Sequence, residues 1–370
     1  FIVGPDAPKE ARNVVGVIQK VGVDIGKRII SMRRQLRELI AYFGGKVIHP
    51  VLGLPGGVSK GLDISDLNKF RQLAKDALDF SLFTLKIFKD IVLENRSYVN
   101  MITSEAYTHK TYYMGMVDEN NRVNFYDGLL RVVSPDGKEY AKFHTNQYLD
   151  YIAEHTEPWS YVKYCYLKPI GWKGFVDGSD SGVYCVAPLA RLNASNGMAT
   201  EKAQKAYEEF YNTLGGKPVH HTLANHWARV VEMIQAAEKM VEILNNEKIV
   251  GKDIRKIPTS SPSVGMGAVE APRGTLFHHY ETDERGVITK ANLIVATQNN
   301  SARINMGIDK SSKNLIQKGE VNDGILNKIE MAFRAYDPCH GCATHSLPGK
   351  MPLIVKIYTQ DGKLYKEYRR

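Results

Sequence analysis

Apolar side chains recur at helical spacing over residues 24–43, at Ile25, Ile29, Ile30, Met32, Leu36, Leu39, Ile40 and Phe43, and the pattern stops at Gly44-Gly45. Such spacing gathers one apolar stripe and predicts a helix closed by a glycine C-cap. After the turn-rich run HPVLGLPGGVSKG, Ser65 is placed to cap a second long helix reaching about Glu94 through Leu67, Phe70, Leu73, Leu82, Phe88 and Ile91. A third helical pattern spans Leu223 to about Leu244, a fourth covers Ala203 to Leu214, and ILNKIEMAFRAY before Asp337 reads as helix too. Strand-like pieces lie between them: residues 128–143 around Ser134-Pro135-Asp136-Gly137, residues 274–297 around Asp283-Glu284-Arg285-Gly286, and residues 353–365 around Asp361-Gly362. These hairpins are expected at the periphery of a long-helix bundle, which gives an α+β, mainly α fold class. No repeat, low-complexity tract or charged linker divides the chain, so residues 1–370 read as one domain, with residues 346–370 as a C-terminal extension.

A hydrophobic fraction of 43% and a charged fraction of 24% are ordinary for a globular protein, and no stretch reaches the roughly 20 apolar residues of a membrane span. The chain starts at Phe1 without an initiator Met or a basic-then-apolar leader, and processing or truncation upstream is expected. The net charge of +9 would suit a nucleic acid, but the basic residues are scattered in helix-surface pairs such as Arg33-Arg34, without a basic block or RNA-binding aromatics. Four cysteines, two of them in one tight motif, do not make a secreted disulfide scaffold, and a reducing compartment follows as the default.

That motif is Asp337-Pro338-Cys339-His340-Gly341-Cys342-Ala343-Thr344-His345, with two thiols three residues apart and an imidazole three further on. Thiolates bind soft and borderline metals, and a CxxC spacing lets two sulfurs face one centre across a short turn. A structural zinc normally takes four ligands from two such pairs, and Cys165 and Cys185 stand apart without a CxxC of their own. Haem attachment needs the His directly after the second Cys, where Ala343 and Thr344 intervene. A thioredoxin-type pair normally follows a strand, whereas a helical pattern precedes this one. Cys165 and Cys185 sit among apolar and aromatic neighbours and read as small buried hydrophobes.

DPCHGCATH resembles the C-terminal DPCxxCxxH motif of nickel-iron hydrogenase large subunits, and other segments follow in the same order. Gly45-Lys46-Val47-Ile48-His49-Pro50 with Pro55-Gly56-Gly57-Val58, then VAPLARLN over residues 186–193, the helix from His221 to Glu238 and Glu270-Ala271-Pro272-Arg273-Gly274 are all similar to segments of that family, most like its cytoplasmic, non-F420-reducing group. The resemblance implies the hydrogenase large-subunit fold, shared with the quinone-site subunit of respiratory complex I. It implies reversible heterolytic cleavage of dihydrogen at a nickel-iron centre with CO and cyanide ligands. Cys339 would be a terminal nickel ligand, Cys342 a bridge between nickel and iron, and His345 a ligand of a nearby magnesium, to which Ser301 lends a backbone carbonyl. Arg273 would set its guanidinium over the open side of the centre with Asp337 orienting it, while Pro272 and Thr297 line the cofactor, Thr297 through a hydroxyl to an iron-bound cyanide.

The family's other half-site, an N-terminal RxCGxCxxxH motif, is absent from these 370 residues, so a second chain or a missing segment is expected to supply the other CxxC. Four cysteines are also too few for an iron-sulfur relay, which implies an iron-sulfur small subunit together with an electron-acceptor module of the heterodisulfide-reductase or flavoprotein kind. The tail from Ser346 to Arg370 is a second departure, since such subunits are commonly cut just after this His; a precursor and a stable terminal hairpin are both open readings. A non-catalytic scaffold relative is the rival to a cytoplasmic enzyme.

Overall fold

A computed structural model of the chain describes residues 2–339 and 354–369, in two compact units, residues 1–336 and 337–370. The fold is α+β and mainly helical. In the first unit the expected helix at residues 24–43 spans Val23–Gly44, and Gly45 closes it in the left-handed region at φ 73°, its N–H returning to the Ala41 carbonyl. Glycine adopts that conformation without the clash a Cβ would bring.

The next helix, Ile64–Phe88, runs on through a π-helical turn at Lys89–Leu93, so it reaches the expected end. Its start corrects the expectation: Asp63, not Ser65, is the N-cap, and Ser65 lies inside the first turn. Asp63 is fixed there by its neighbour across the loop, donating its backbone N–H to the Tyr42 hydroxyl at 3.1 Å. This helix packs along Asn225–Asn245, whose buried Trp227 is wedged between Phe88 and Phe210, the latter from the Glu201–Thr213 helix. The core here includes Leu85, Tyr207, Leu223, Val231 and Ile234. Apolar faces of this kind drive helix association at about 25 cal/mol per Å² removed from water.

One of the three predicted hairpins departs from the expected periphery. Leu129–Val133 and Glu139–Phe143 do form a hairpin across the predicted turn, but they continue into Tyr112–Val117 and Tyr184–Cys185 as a four-stranded sheet. Every residue of Tyr112–Val117 is buried, which makes this sheet interior. A strand covered on both faces reads as a continuous apolar run and loses the alternation by which strands are recognised. A second sheet joins Val264–Ala271, Gly274–Thr282 and Ile288–Ile294, all antiparallel. Short helices then lead through Ala296–Asn299 into Ser301–Leu315, and Asp323–Arg334 closes the unit. In the second unit Ile354–Tyr358 and Leu364–Arg369 form the predicted terminal hairpin.

Candidate functional site

The second sheet begins with a tight turn. Ala271 pairs with Gly274, so Pro272 and Arg273 are the two residues that reverse the chain. Gly274 has φ +132°, and a Cβ there would lie 2.3 Å from Cγ2 of Val186 and 2.5 Å from its carbonyl oxygen. Only glycine lets this turn lie so close to the chain entering the Pro188–Ala194 helix.

Two buried polar arrangements hold the turn. On one side, Arg191 donates Nε to Glu232 Oε1 at 2.6 Å and Nη2 to Glu232 Oε2 at 2.5 Å, while Nη1 reaches Glu270 Oε2 at 2.9 Å and the Ala271 carbonyl at 2.8 Å. The second oxygen of Glu270 accepts from the Met116 N–H at 2.8 Å and the Thr275 hydroxyl at 2.9 Å. The guanidinium fork thus binds one helix, Asn225–Asn245, and the strand end directly before the turn. Burial pushes the Glu270 carboxyl above its usual range, and Arg191 with the two other donors opposes that push. A charge taken so far from water is tolerable only when its lone pairs are filled, as here.

On the other side, Asn300 accepts from the Val186 N–H at 2.8 Å and donates Nδ2 to the Arg273 carbonyl at 2.9 Å. Asn299 donates to the Thr275 carbonyl at 2.9 Å and accepts from the Tyr184 hydroxyl at 2.5 Å. Thr297 and Ser301 are buried in the same segment, with the Ser301 hydroxyl donating to the Thr297 carbonyl at 3.0 Å. Pro272, Arg273, Thr297 and Ser301 are therefore members of one neighbourhood, in which Arg273 is half-buried and Pro272 exposed.

Asp337 and Cys339 belong to the second unit, where Asp337 has a left-handed φ of 52°. Cys342 and His345 lie outside the described residues. Among the cysteines that are described, Cys165 and Cys185 are buried, and burial pushes both thiols up, away from the thiolate form a metal needs. Cys339 is partly exposed and fits the part of a metal ligand. Among the described residues no group of three His, Cys, Asp or Glu side chains is placed to hold a metal ion.

Sequence patterns alone assigned no role to Arg191, Glu232, Glu270, Asn299 or Asn300, although the first three stand in the motifs and the two asparagines lie between Thr297 and Ser301. The signal was there in charged residues within otherwise apolar segments, as in VAPLARLN and HWARVVE. Buried Arg303 is another: its Nη1 donates to the Thr111 hydroxyl, while Nε and Nη2 meet no protein acceptor among the described residues.

This chain belongs to the nickel-dependent hydrogenase family, whose model matches residues 28–345. It is a catalytic, large-subunit-type chain of a nickel-iron hydrogenase. It is 44% identical to an F420-non-reducing hydrogenase iron-sulfur subunit of Archaeoglobus profundus, over 100% of this chain and 76% of that protein. To the beta subunit of the NAD-reducing hydrogenase HoxS of Cupriavidus necator it is 36% identical, over 100% of this chain and 75% of the relative. The fold matches the crystal structure of an NAD+-reducing NiFe hydrogenase in its H2-reduced state with a TM-score of 0.84 and 30% identity, over 93% of this chain and 73% of that one.

Proposed function

We propose that the chain cleaves dihydrogen heterolytically and reversibly, with Cys339 and Cys342 holding a nickel-iron centre, Arg273 as its fixed cation and Asp337 as the carboxylate that orients that cation. The observation that carries the roles is the mount of Arg273. Its turn is pinned through backbone atoms by Asn300 and Arg191, so a guanidinium there presents a permanent positive charge from a rigid base. Preorganised charge of this kind acts on developing negative charge without reorganisation at the moment of reaction.

When bound, the metal pair supplies the Lewis acidity that makes dihydrogen acidic. The chain's own part is to hold and move protons and to keep geometry. Cys339, a partly exposed thiol, is suited to take a proton at Sγ. Thr297 and Pro272 would line the cofactor, whose diatomic ligands would be CO and cyanide, with the Thr297 hydroxyl available to donate to a cyanide. His345 and the Ser301 carbonyl would hold magnesium. The second cysteine pair comes from a polypeptide stretch outside these 370 residues, in the same chain or another. Electrons leave through an iron-sulfur small subunit to an acceptor module of the heterodisulfide-reductase or flavoprotein kind. The proposed compartment is the cytoplasm, where thiols stay reduced. No helix among the described residues is long and apolar enough to cross a membrane.

The test is nickel and iron content with hydrogen uptake, on the natively purified complex, for Cys339→Ser beside Cys185→Ser. Loss of uptake and nickel in the first variant, with both retained in the second, supports the assignment. Full activity in Cys339→Ser, or zinc in place of nickel, overturns it.

A further inference from the structure

One buried charge in the first unit stands without an ionic partner. Arg303 lies in the first turn of the Ser301–Leu315 helix and is 0% exposed, and a guanidinium stays charged at any pH a folded protein meets. Its Nη1 donates to the neutral Thr111 hydroxyl, and among the described residues no carboxylate pairs with it. Asp177, the acid whose charge it feels, is already engaged by Nδ1 of His109 at 3.1 Å and by the Lys110 N–H at 2.8 Å. The other polar groups around the cation are neutral: the Tyr336 and Tyr113 hydroxyls and the Cys185 thiol. The Tyr336 hydroxyl is itself buried and without a partner among the described residues.

Such a placement does not serve stability. A buried charge costs far more than a hydrocarbon of the same size, and apolar replacement of buried charges is often neutral or stabilising. The packing beside it, from Ile304, Ala187, Ala190 and the rings of Tyr113 and Tyr336, calls for bulk, which a methionine fills as well. What arginine adds at this position is its charge.

Where the charge acts follows from its neighbours. Ser301 stands two residues before Arg303, about 3 Å back along the helix axis, and Thr297 and Asn300 lie just upstream. Cys185 and Ala187, which share a buried cluster with Ile304, flank Val186, the residue on which the Arg273 turn rests. Arg303 is thus set into the same wall as Pro272, Arg273, Thr297 and Ser301. In a water-excluded interior a fixed charge acts through space, because little screens it.

We infer that Arg303 is a second fixed cation of the metal site, one that acts at a distance on the potential at which the centre takes up electrons. This rests on the hydrogenase reading, which places the centre against that wall. A positive charge beside a redox centre favours the reduced form, so the guanidinium holds the potential up.

The experiment uses the natively purified complex with Arg303→Met, which keeps the bulk and removes the charge, and Arg303→Lys, which keeps the charge. Nickel content, the infrared bands of CO and cyanide ligands, and the midpoint potential from a redox titration followed in those bands are measured for parent and variants. Arg303→Met is expected to retain nickel, to titrate at a lower potential and to show displaced bands, and Arg303→Lys to restore most of the potential. Unchanged potential and bands in nickel-loaded Arg303→Met overturn the inference. So does an equal displacement in Arg303→Lys, which assigns the effect to packing, or loss of nickel from Arg303→Met, which makes the residue a determinant of assembly. Each of these leaves the hydrogenase reading standing, because the parent still carries nickel and the bands. A parent with neither sinks that reading, and this inference with it.

Discussion

Asn300 donates its side-chain amide to the backbone carbonyl of Arg273 at 2.9 Å, and the same side chain accepts from Val186 at 2.8 Å. One fully buried residue thus ties the turn that carries Arg273 to the segment entering the Pro188–Ala194 helix. Asn300→Leu leaves a buried N–H and a buried C=O without partners, at a cost of about 2–4 kcal/mol. Hydrogen uptake should fall about tenfold or more as the mount loosens, with nickel retained. Asn300→Asp keeps the acceptor for Val186 but turns a buried carboxylate oxygen on the Arg273 carbonyl, and should lose at least as much stability. Denaturant unfolding and dye-linked hydrogen uptake measure the two effects.

The arginine fork makes a second, distinguishable prediction. Arg191→Met strands the carboxylates of Glu232 and Glu270, which it meets at 2.5 and 2.9 Å, and should destabilise by about 3–5 kcal/mol. Adding Glu232→Gln and Glu270→Gln to that variant removes the stranded charges and should recover more than half of the loss. An unrecovered loss in the triple variant would mean that the fork stabilises through packing and not through charge.

Arg273 itself can be changed without moving the turn, because its backbone carbonyl makes the bond to Asn300. Arg273→Lys keeps the charge but loses the planar fork. Uptake should drop about 100-fold while nickel content and melting temperature stay near those of the parent. A parallel loss of nickel would instead assign Arg273 to cofactor retention.

His220 gives the chain a pH signature. Burial, then Arg303, lowers its pKa from 6.5 to about 4, and the Tyr113 hydroxyl stands 2.6 Å from its Nδ1, which a neutral ring can accept. Between about pH 6.5 and about 4 the unfolded chain binds a proton at this His and the folded chain does not, so stability falls as pH falls through that window. The loss should be about 2 kcal/mol and absent in His220→Gln. Unfolding midpoints at both ends of the window, for parent and variant, decide it.

Much of the fold was legible. The helices at Val23–Gly44, Glu201–Thr213 and Asn225–Asn245 and the hairpin turns at Ser134–Gly137 and Asp283–Gly286 stand where periodicity and turn chemistry put them. The interior sheet was not legible, because YYMGMV has no polar alternation to mark it as strand. The N-cap at Asp63 was missed because it depends on Tyr42, a contact 21 residues away.

The site divides in the same way. The sequence by itself determined the chemistry on offer: the thiol pair of DPCHGCATH, the arginine of EAPRG, and the order of motifs that marks a nickel-iron hydrogenase. These are properties of residue type and spacing along the chain. Only the tertiary structure decided that Arg191 reaches Glu270 across 79 residues, that Asn300 reaches Arg273 across 27, and that Gly274 must be glycine because Val186 lies against it. Those facts arise from burial, which turns an ordinary arginine or asparagine into an obligatory partner once water is gone, and burial is set by what the rest of the chain packs around it.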